Sequence, residues 1–150
     1  MFKISKMTAL DVPQIALLEQ QCFSSPWSEQ SLLYTANNES SAYFVAKDGK
    51  NVIGYGGMNV VIDEGYIGNI AVNKEYRHKG VGLSIVNALN DYAVEKNMAL
   101  ITLEVRVSNT PAISLYEKCG FTNVGVRKNF YIWPTEDAII MTKWFGEKKV

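Results

Sequence analysis

Glu75-Tyr76-Arg77-His78-Lys79-Gly80-Val81-Gly82 sets three consecutive basic residues and two glycines ahead of an apolar run, in a chain whose 15 basic and 15 acidic residues leave no net charge. Positive charge beside bare backbone is what an anion site needs. If a helix starts near Gly80, its first N–H groups lack intrahelical partners and carry the positive end of the helix dipole. Glycine then lets a phosphate come close to them. Arg77, His78 and Lys79 add charge around that point. The same letters also read as a solvated basic turn before a helix. Two familiar phosphate motifs do not fit. A Walker-type loop requires a lysine directly after its second glycine, and Val81 and Leu83 are the residues that follow the glycines here. A dinucleotide fingerprint requires a small residue at position 85, which is Ile85.

Other chemistries are limited by what the chain lacks. His78 is the single histidine, so a histidine-based triad or metal centre has no partners to draw on, and no metal is expected. Cys22 and Cys119 are far apart and fit neither a disulfide framework nor a zinc site. Cys119 reads either as a thiol nucleophile or as a small buried hydrophobe, and the second reading suits a lone cysteine better. A balanced charge gives no field to attract nucleic acid or an anionic membrane. The amino-terminal stretch MFKISKMTALD lacks the apolar core of a signal peptide, so a soluble cytoplasmic protein is expected.

The elements that must position the basic stretch follow from periodicity. With 150 residues, 47% hydrophobic and 20% charged, the chain is expected to fold as one domain spanning 1–150. Residues 2–5 read as a strand. Thr8 caps a helix from Ala9 to about Cys22, and a second helix starts after Ser28, beyond the break Ser25-Pro26-Trp27. Residues 42–46 and 52–62 form a hairpin around Asp48-Gly49. A strand over 65–72, a helix over 80–96 and a strand over 100–107 form a crossover unit, which makes those two strands parallel and places ligand at their carboxyl ends. A helix over 109–118 follows, with Asn109 as cap, Pro111 in its first turn and Gly120 as its stop. Strands over 125–133 and 137–145 complete a mixed α/β sheet with flanking helices. The terminal GEKKV is expected to be unordered.

Arg77-x-x-Gly80-x-Gly82, between a strand and a helix, resembles the acyl-coenzyme A signature of the GNAT N-acetyltransferases. The resemblance covers nearly the whole chain. It extends through Ser25-Pro26-Trp27-Ser28, Asn69-Ile70-Ala71-Val72, Leu103-Glu104-Val105-Arg106, Ser108-Asn109, Ala112 to Tyr116, Gly120-Phe121, and Glu136-Asp137-Ala138 with Met141. Together these look like the branch that acetylates the N-terminal alanine of a small-subunit ribosomal protein. Two local departures bear on the acceptor: a short stretch between Tyr131 and Glu136, and Gly65-Tyr66 ahead of the cofactor strand.

The resemblance implies an α/β acyl-CoA N-acyltransferase fold and acetyl-CoA as cosubstrate. The pyrophosphate would rest on Arg77, His78, Lys79, Gly80, Val81 and Gly82, with Leu83 and Ser84 completing the helix start. The pantetheine arm would pair with the backbone of Ile70, Ala71 and Val72 where two parallel strands splay. Asn109, Ala112 and Tyr116 would border the same cofactor. Glu104 would serve as general base, Tyr116 as general acid and the Val72 N–H as an oxyanion donor, with Trp27 and Tyr131 contacting the acceptor. The implied partner is a ribosomal protein N-terminus, with neither nucleic acid nor membrane involved, and the implied state is a monomer or weak dimer.

Each assignment has a plainer counterpart. Glu104 could point outward and pair with Arg106, Tyr116 could pack on Phe121, Asn109 could be only a helix cap, and Trp27 and Tyr131 could plug the core. Asp63, Glu64, Glu136 and Asp137 form either a solvated rim or an acidic lip for a basic peptide. A small-amine acetyltransferase and a non-catalytic acyl-CoA sensor are the competing functions.

Overall fold

The computed structural model describes residues 1–146. In chain order these form β1 (Lys3–Lys6), a 3-10 turn (Ala9–Asp11) leading into α1 (Val12–Cys22), α2 (Glu29–Ala36), β2 (Ser41–Asp48), β3 (Asn51–Val61) and β4 (Glu64–Val72). A 3-10 turn (Lys74–Tyr76), α3 (Val81–Glu95), β5 (Leu100–Arg106), α4 (Thr110–Lys118), β6 (Thr122–Ile132) and β7 (Thr135–Trp144) follow. The strand and helix order is the one the sequence predicts, and the local signals explain it. Asn109 accepts a hydrogen bond from the Ala112 N–H at 3.3 Å and caps its helix as expected, and Ser28, after which the second helix is expected to start, caps it by accepting from the Ser31 N–H at 3.1 Å. Gly49 and Gly120 take positive φ at +64° and +98°, turning the β2–β3 hairpin and ending α4.

Most boundaries shift from expectation by one to three residues, and the shifts at the first helix and the last two strands are instructive. The first helix does not begin at Ala9, because the Asp11 carboxylate accepts the Thr8 N–H at 2.9 Å and an ion pair from Lys47 at 2.8 Å, which holds a tighter turn there. β6 starts three residues early and β7 two residues early. β6 is an edge strand whose register shifts twice, between Asn123 and Gly125 and between Arg127 and Tyr131, so its alternation is broken where the sequence must be read. Residues 147–150 of the terminal GEKKV lie outside the described residues.

The seven strands lie in the order β1-β2-β3-β4-β5-β7-β6, antiparallel except for β4 and β5. Ile101, Leu103 and Val105 of β5 pack with Val86 and Leu89 of α3 and Tyr116 of α4 on one face. Tyr43, Val45, Tyr55 and Ala71 pack with Ile15, Leu18 and Leu32 of α1 and α2 on the other. Two helical layers therefore sandwich the sheet.

The parallel pair stays together for three positions, Glu64 with Leu100, Gly65 with Ile101 and Tyr66 with Thr102, and then parts. The cause lies on the other edge of β4. Its register with β3 shifts between Gly56 and Met58, so that Gly68 and Asn69 together face Gly57, and such a bulge bends the strand that carries it. Gly57 and Gly68 leave room for the Tyr43 ring beneath. A Cβ on Gly57 would lie 2.2 Å from Tyr43 Cγ, and one on Gly68 would lie 2.8 Å from its hydroxyl. Glu19 of α1, fully buried, fixes the bend. It accepts from Asn69 Nδ2 at 2.8 Å, from the Trp27 N–H at 2.8 Å and from the Tyr55 hydroxyl. Burial, then the bond to Glu19, pushes the Tyr55 phenol far above its usual range, and burial with the nearby Glu19 raises Tyr43 to about 12.

Replacing this carboxyl strands its buried donors. Glu19→Leu is expected to lower the unfolding free energy by about 2–4 kcal/mol in urea titration. A loss under about 0.5 kcal/mol, the scale of ordinary surface changes, would show that Glu19 does not hold the bend.

Candidate active site

Beyond Tyr66 the edge of β4 facing β5 is open, and alternation decides which groups it presents. The Asn73 N–H donates to Ile53 O of β3 at 2.8 Å, and Val72, Ala71 and Ile70 register with Gly54, Tyr55 and Gly56. An antiparallel ladder bonds every second residue, so Asn73 and Ala71 turn their amides to β3 while Val72 and Ile70 turn theirs into the gap. Ala71 buries its methyl in the core instead. Arg77 Nε donates to Val72 O at 3.2 Å and Cys22 Sγ does so at 3.6 Å, leaving the Val72 N–H as the group aimed into the opening.

At the carboxyl end of β4 the basic loop meets α3. Gly80 caps the helix with φ +84°, no side chain caps its first turn, and His78 also has positive φ, at +64°. A Cβ built on Gly80 would meet nothing within 4 Å, so the space over the first-turn amides is open, and glycine is needed there for its backbone angle. Gly82 borders the same opening and has a further reason to be glycine. A Cβ there would lie 3.2 Å from Leu115 Cδ2, so this glycine lets α3 approach α4.

A cleft of about 770 Å³ joins this helix start to the gap. Ile70, Ala71, Val72, Arg77, His78 and Gly80 line it, together with Val81, Gly82, Leu83, Asn109, Ala112 and Tyr116. Lys79 and Ser84 stand outside that lining. The Lys79 amine lies 5.7 Å from the centre of the Tyr76 ring, and the Ser84 N–H is already bonded to Gly80 O at 3.0 Å. The open amides, the nearby cations and a cleft that borders both the helix start and Ile70 and Val72 have the chemistry an acyl-CoA needs.

Glu104 sits where β5 has left β4, half-exposed, between the buried Leu103 and Val105 and on the sheet face opposite to them. Its partner is Arg127 of β6, Nε to Oε2 at 3.1 Å, and Arg106 turns instead to Glu136 at 3.1 Å. Tyr116 approaches from the α4 face. Its ring packs edge-on against Phe121 with centroids 5.6 Å apart, and the same residue lines the cleft. Burial, and then the neighbouring Tyr131 and Cys119, holds its hydroxyl well above the usual tyrosine range, so it stays protonated at neutral pH. Tyr131 is raised by burial and then by Glu104. Its ring thus lies within electrostatic reach of both Glu104 and Tyr116.

Trp27 lies against Tyr43 at 6.2 Å between ring centroids and would touch a Cβ on Gly68, so it covers the bulge. Three of the four rim acids accept hydrogen bonds inside the chain: Glu64 from Tyr66, Glu136 from Ser108 and Asp137 from Asn129. Sequence reasoning missed Glu19, Arg127 and the lining by Cys22 and Phe23. A carboxylate on the apolar face of α1, beside Ile15, Leu18 and Cys22, was the available signal for Glu19. Arg127 gave none, since its pairing spans 23 residues and two strands.

Residues 12–121 match the acetyltransferase (GNAT) family. An Escherichia coli (strain K12) protein named [ribosomal protein bS18]-alanine N-acetyltransferase is 37% identical over 145 residues, covering 92% of this chain and 94% of that one. A protein of the same name from Haemophilus influenzae is 36% identical over 143 residues, covering 92% and 95%. The crystal structure of the ribosomal-protein-S18-alanine N-acetyltransferase from Escherichia coli superposes with a TM-score of 0.88 at 33% identity, over 100% of this chain and 99% of that one.

A side chain at Gly80 would force an L-residue into a left-handed conformation, at about 1–2 kcal/mol, or reorient the first-turn amides. Gly80→Ala is expected to weaken coenzyme A binding, measured by calorimetry, by about fivefold or more. An unchanged Kd would mean that the helix start does not hold the anion.

Proposed function

We propose, for a chain that belongs to the acetyltransferase (GNAT) family, that it transfers the acetyl group of acetyl-CoA to the N-terminal amine of a protein beginning with alanine, a small-subunit ribosomal protein. One observation carries this reading. One cleft runs from the amino terminus of α3 past Ile70 and Val72 to Tyr116, and Glu104, outside its lining, lies on the stretch of β5 that has parted from β4. The relatives' names supply the acceptor.

Acetyl-CoA brings an activated thioester. The chain's own task is to deprotonate the acceptor amine, stabilise the negative oxygen that develops at the attacked carbonyl, and protonate the departing sulfur. Glu104 takes the amine's proton at the open end of the gap, directly or through one water. Val72 donates its N–H to the developing oxyanion. Tyr116, kept neutral by burial, gives its proton to the sulfur. Before catalysis the acceptor amine must share or displace Arg127 at the carboxylate, which is a small cost for an exposed ion pair, about 0–1 kcal/mol.

Proton affinities favour an N-terminal acceptor. An α-amine with pKa about 8 is roughly one-tenth neutral at pH 7, whereas a lysine near 10.4 is neutral about four times in ten thousand. A carboxylate is a weak base, and it suffices for the first amine much better than for the second.

Mass spectrometry tests the acceptor. After incubation with acetyl-CoA, a peptide with a free N-terminal alanine gains one acetyl group, and a peptide with a blocked N-terminus and a free lysine gains none. Glu104→Gln is expected to lower kcat/KM by about 100-fold and Tyr116→Phe by about 10-fold or more, with coenzyme A binding retained. Both variants remaining within about threefold of the parent would remove these residues from the chemistry.

A further inference from the structure

Arg106 lies two residues beyond Glu104 on the same face of β5, and it makes more directed contacts than its partly exposed position requires. Nη1 donates to Pro134 O at 2.9 Å and to Glu136 Oε1 at 3.1 Å, and Nη2 donates to Trp133 O at 2.9 Å. The guanidinium also lies over the Tyr131 ring, 4.3 Å from Cζ to the centroid. One side chain therefore holds both the turn between β6 and β7 and the face of Tyr131. Glu136 continues the chain of contacts on its other oxygen, accepting the Ser108 N–H at 2.7 Å, and Ser108 immediately precedes Asn109, the cap of α4. Hydrogen bonds from Ser108, and next from Arg106, hold the Glu136 carboxyl below its ordinary range, as expected of an acceptor with both oxygens engaged.

We infer that Arg106 is a positioning residue for acceptor recognition: with Glu136 it clamps the β6–β7 turn and Tyr131 onto the segment that starts α4, setting the wall of the acceptor site relative to Glu104 and Tyr116. The inference rests on the proposed peptide acceptor for its functional meaning, while the clamp itself is a matter of geometry. Planarity is essential to it. A guanidinium can lie flat on a ring and donate in several in-plane directions at once, and a lysine ammonium can do neither. A mere surface ion pair would tolerate lysine at this position.

Arg106→Lys and Glu136→Gln in the full chain test the clamp by two readouts. Amide exchange followed by NMR is expected to quicken about tenfold or more at Ser108 in both variants, with exchange in β4 and α3 unchanged. In steady-state kinetics, Arg106→Lys raises KM for the free-N-terminus peptide by about fivefold or more, with KM for acetyl-CoA within about twofold. Unchanged exchange at Ser108 overturns the clamp. Quickened exchange with an unchanged acceptor KM, or an equal rise in both KM values, overturns the positioning role. If the parent chain acetylates a small amine and no peptide, the proposed acceptor fails, and the clamp is then judged on that amine's KM and on the same exchange rates.

Discussion

Two parallel strands that pair for three residues and then part create the opening on which the rest of the candidate site depends. A sheet whose strands stayed in register would bond the amides of Ile70 and Val72 to β5 and leave no free backbone edge at its centre. Parting them costs those hydrogen bonds, and the molecule recovers stability around the opening. Cys22 and Arg77 satisfy Val72 O, and the bulge at Gly68 and Asn69 is tied to a buried carboxyl on α1. The amides that remain open are available to an extended ligand with alternating donors and acceptors.

Two helices meet the opening from the same face in different ways. α3 presents its amino terminus, where Gly80 supplies the backbone turn and the nearby loop supplies cations. α4 presents the side of its second turn, where Tyr116 is packed against Phe121 and faces the cleft. Gly82 lets the two helices come close enough for both to border one cleft. Glu104 lies where β5 has parted from β4, on the sheet face opposite to these helices.

Much of this was legible from residue order, and the part that was not is of one physical kind. Periodicity and caps gave the helices, because Ser28, Asn109, Gly80 and Gly120 act on neighbours within a turn. The crossover from residue 65 to 107 gave the parallel pair, since its handedness and length leave few alternatives. The place of β7 between β5 and β6, the double bulge in β6, the pairing of Glu104 with Arg127 and the three bonds to Glu19 were hidden. Each depends on partners distant in sequence, and neither propensity nor spacing records them. Alternation puts Arg106 and Glu104 on one face and suggests that they pair, and the shape of the β6–β7 turn draws Arg106 to Glu136 instead.

If the open edge of β4 receives the cofactor arm, amide hydrogen exchange with and without coenzyme A registers it residue by residue. Protection rising at Ile70 and Val72 and at the first turn of α3, with Ala71 already protected in the free chain, is the predicted result. Protection confined to α3, with Ile70 and Val72 exchanging as fast as before, would contradict it and place the arm outside the gap.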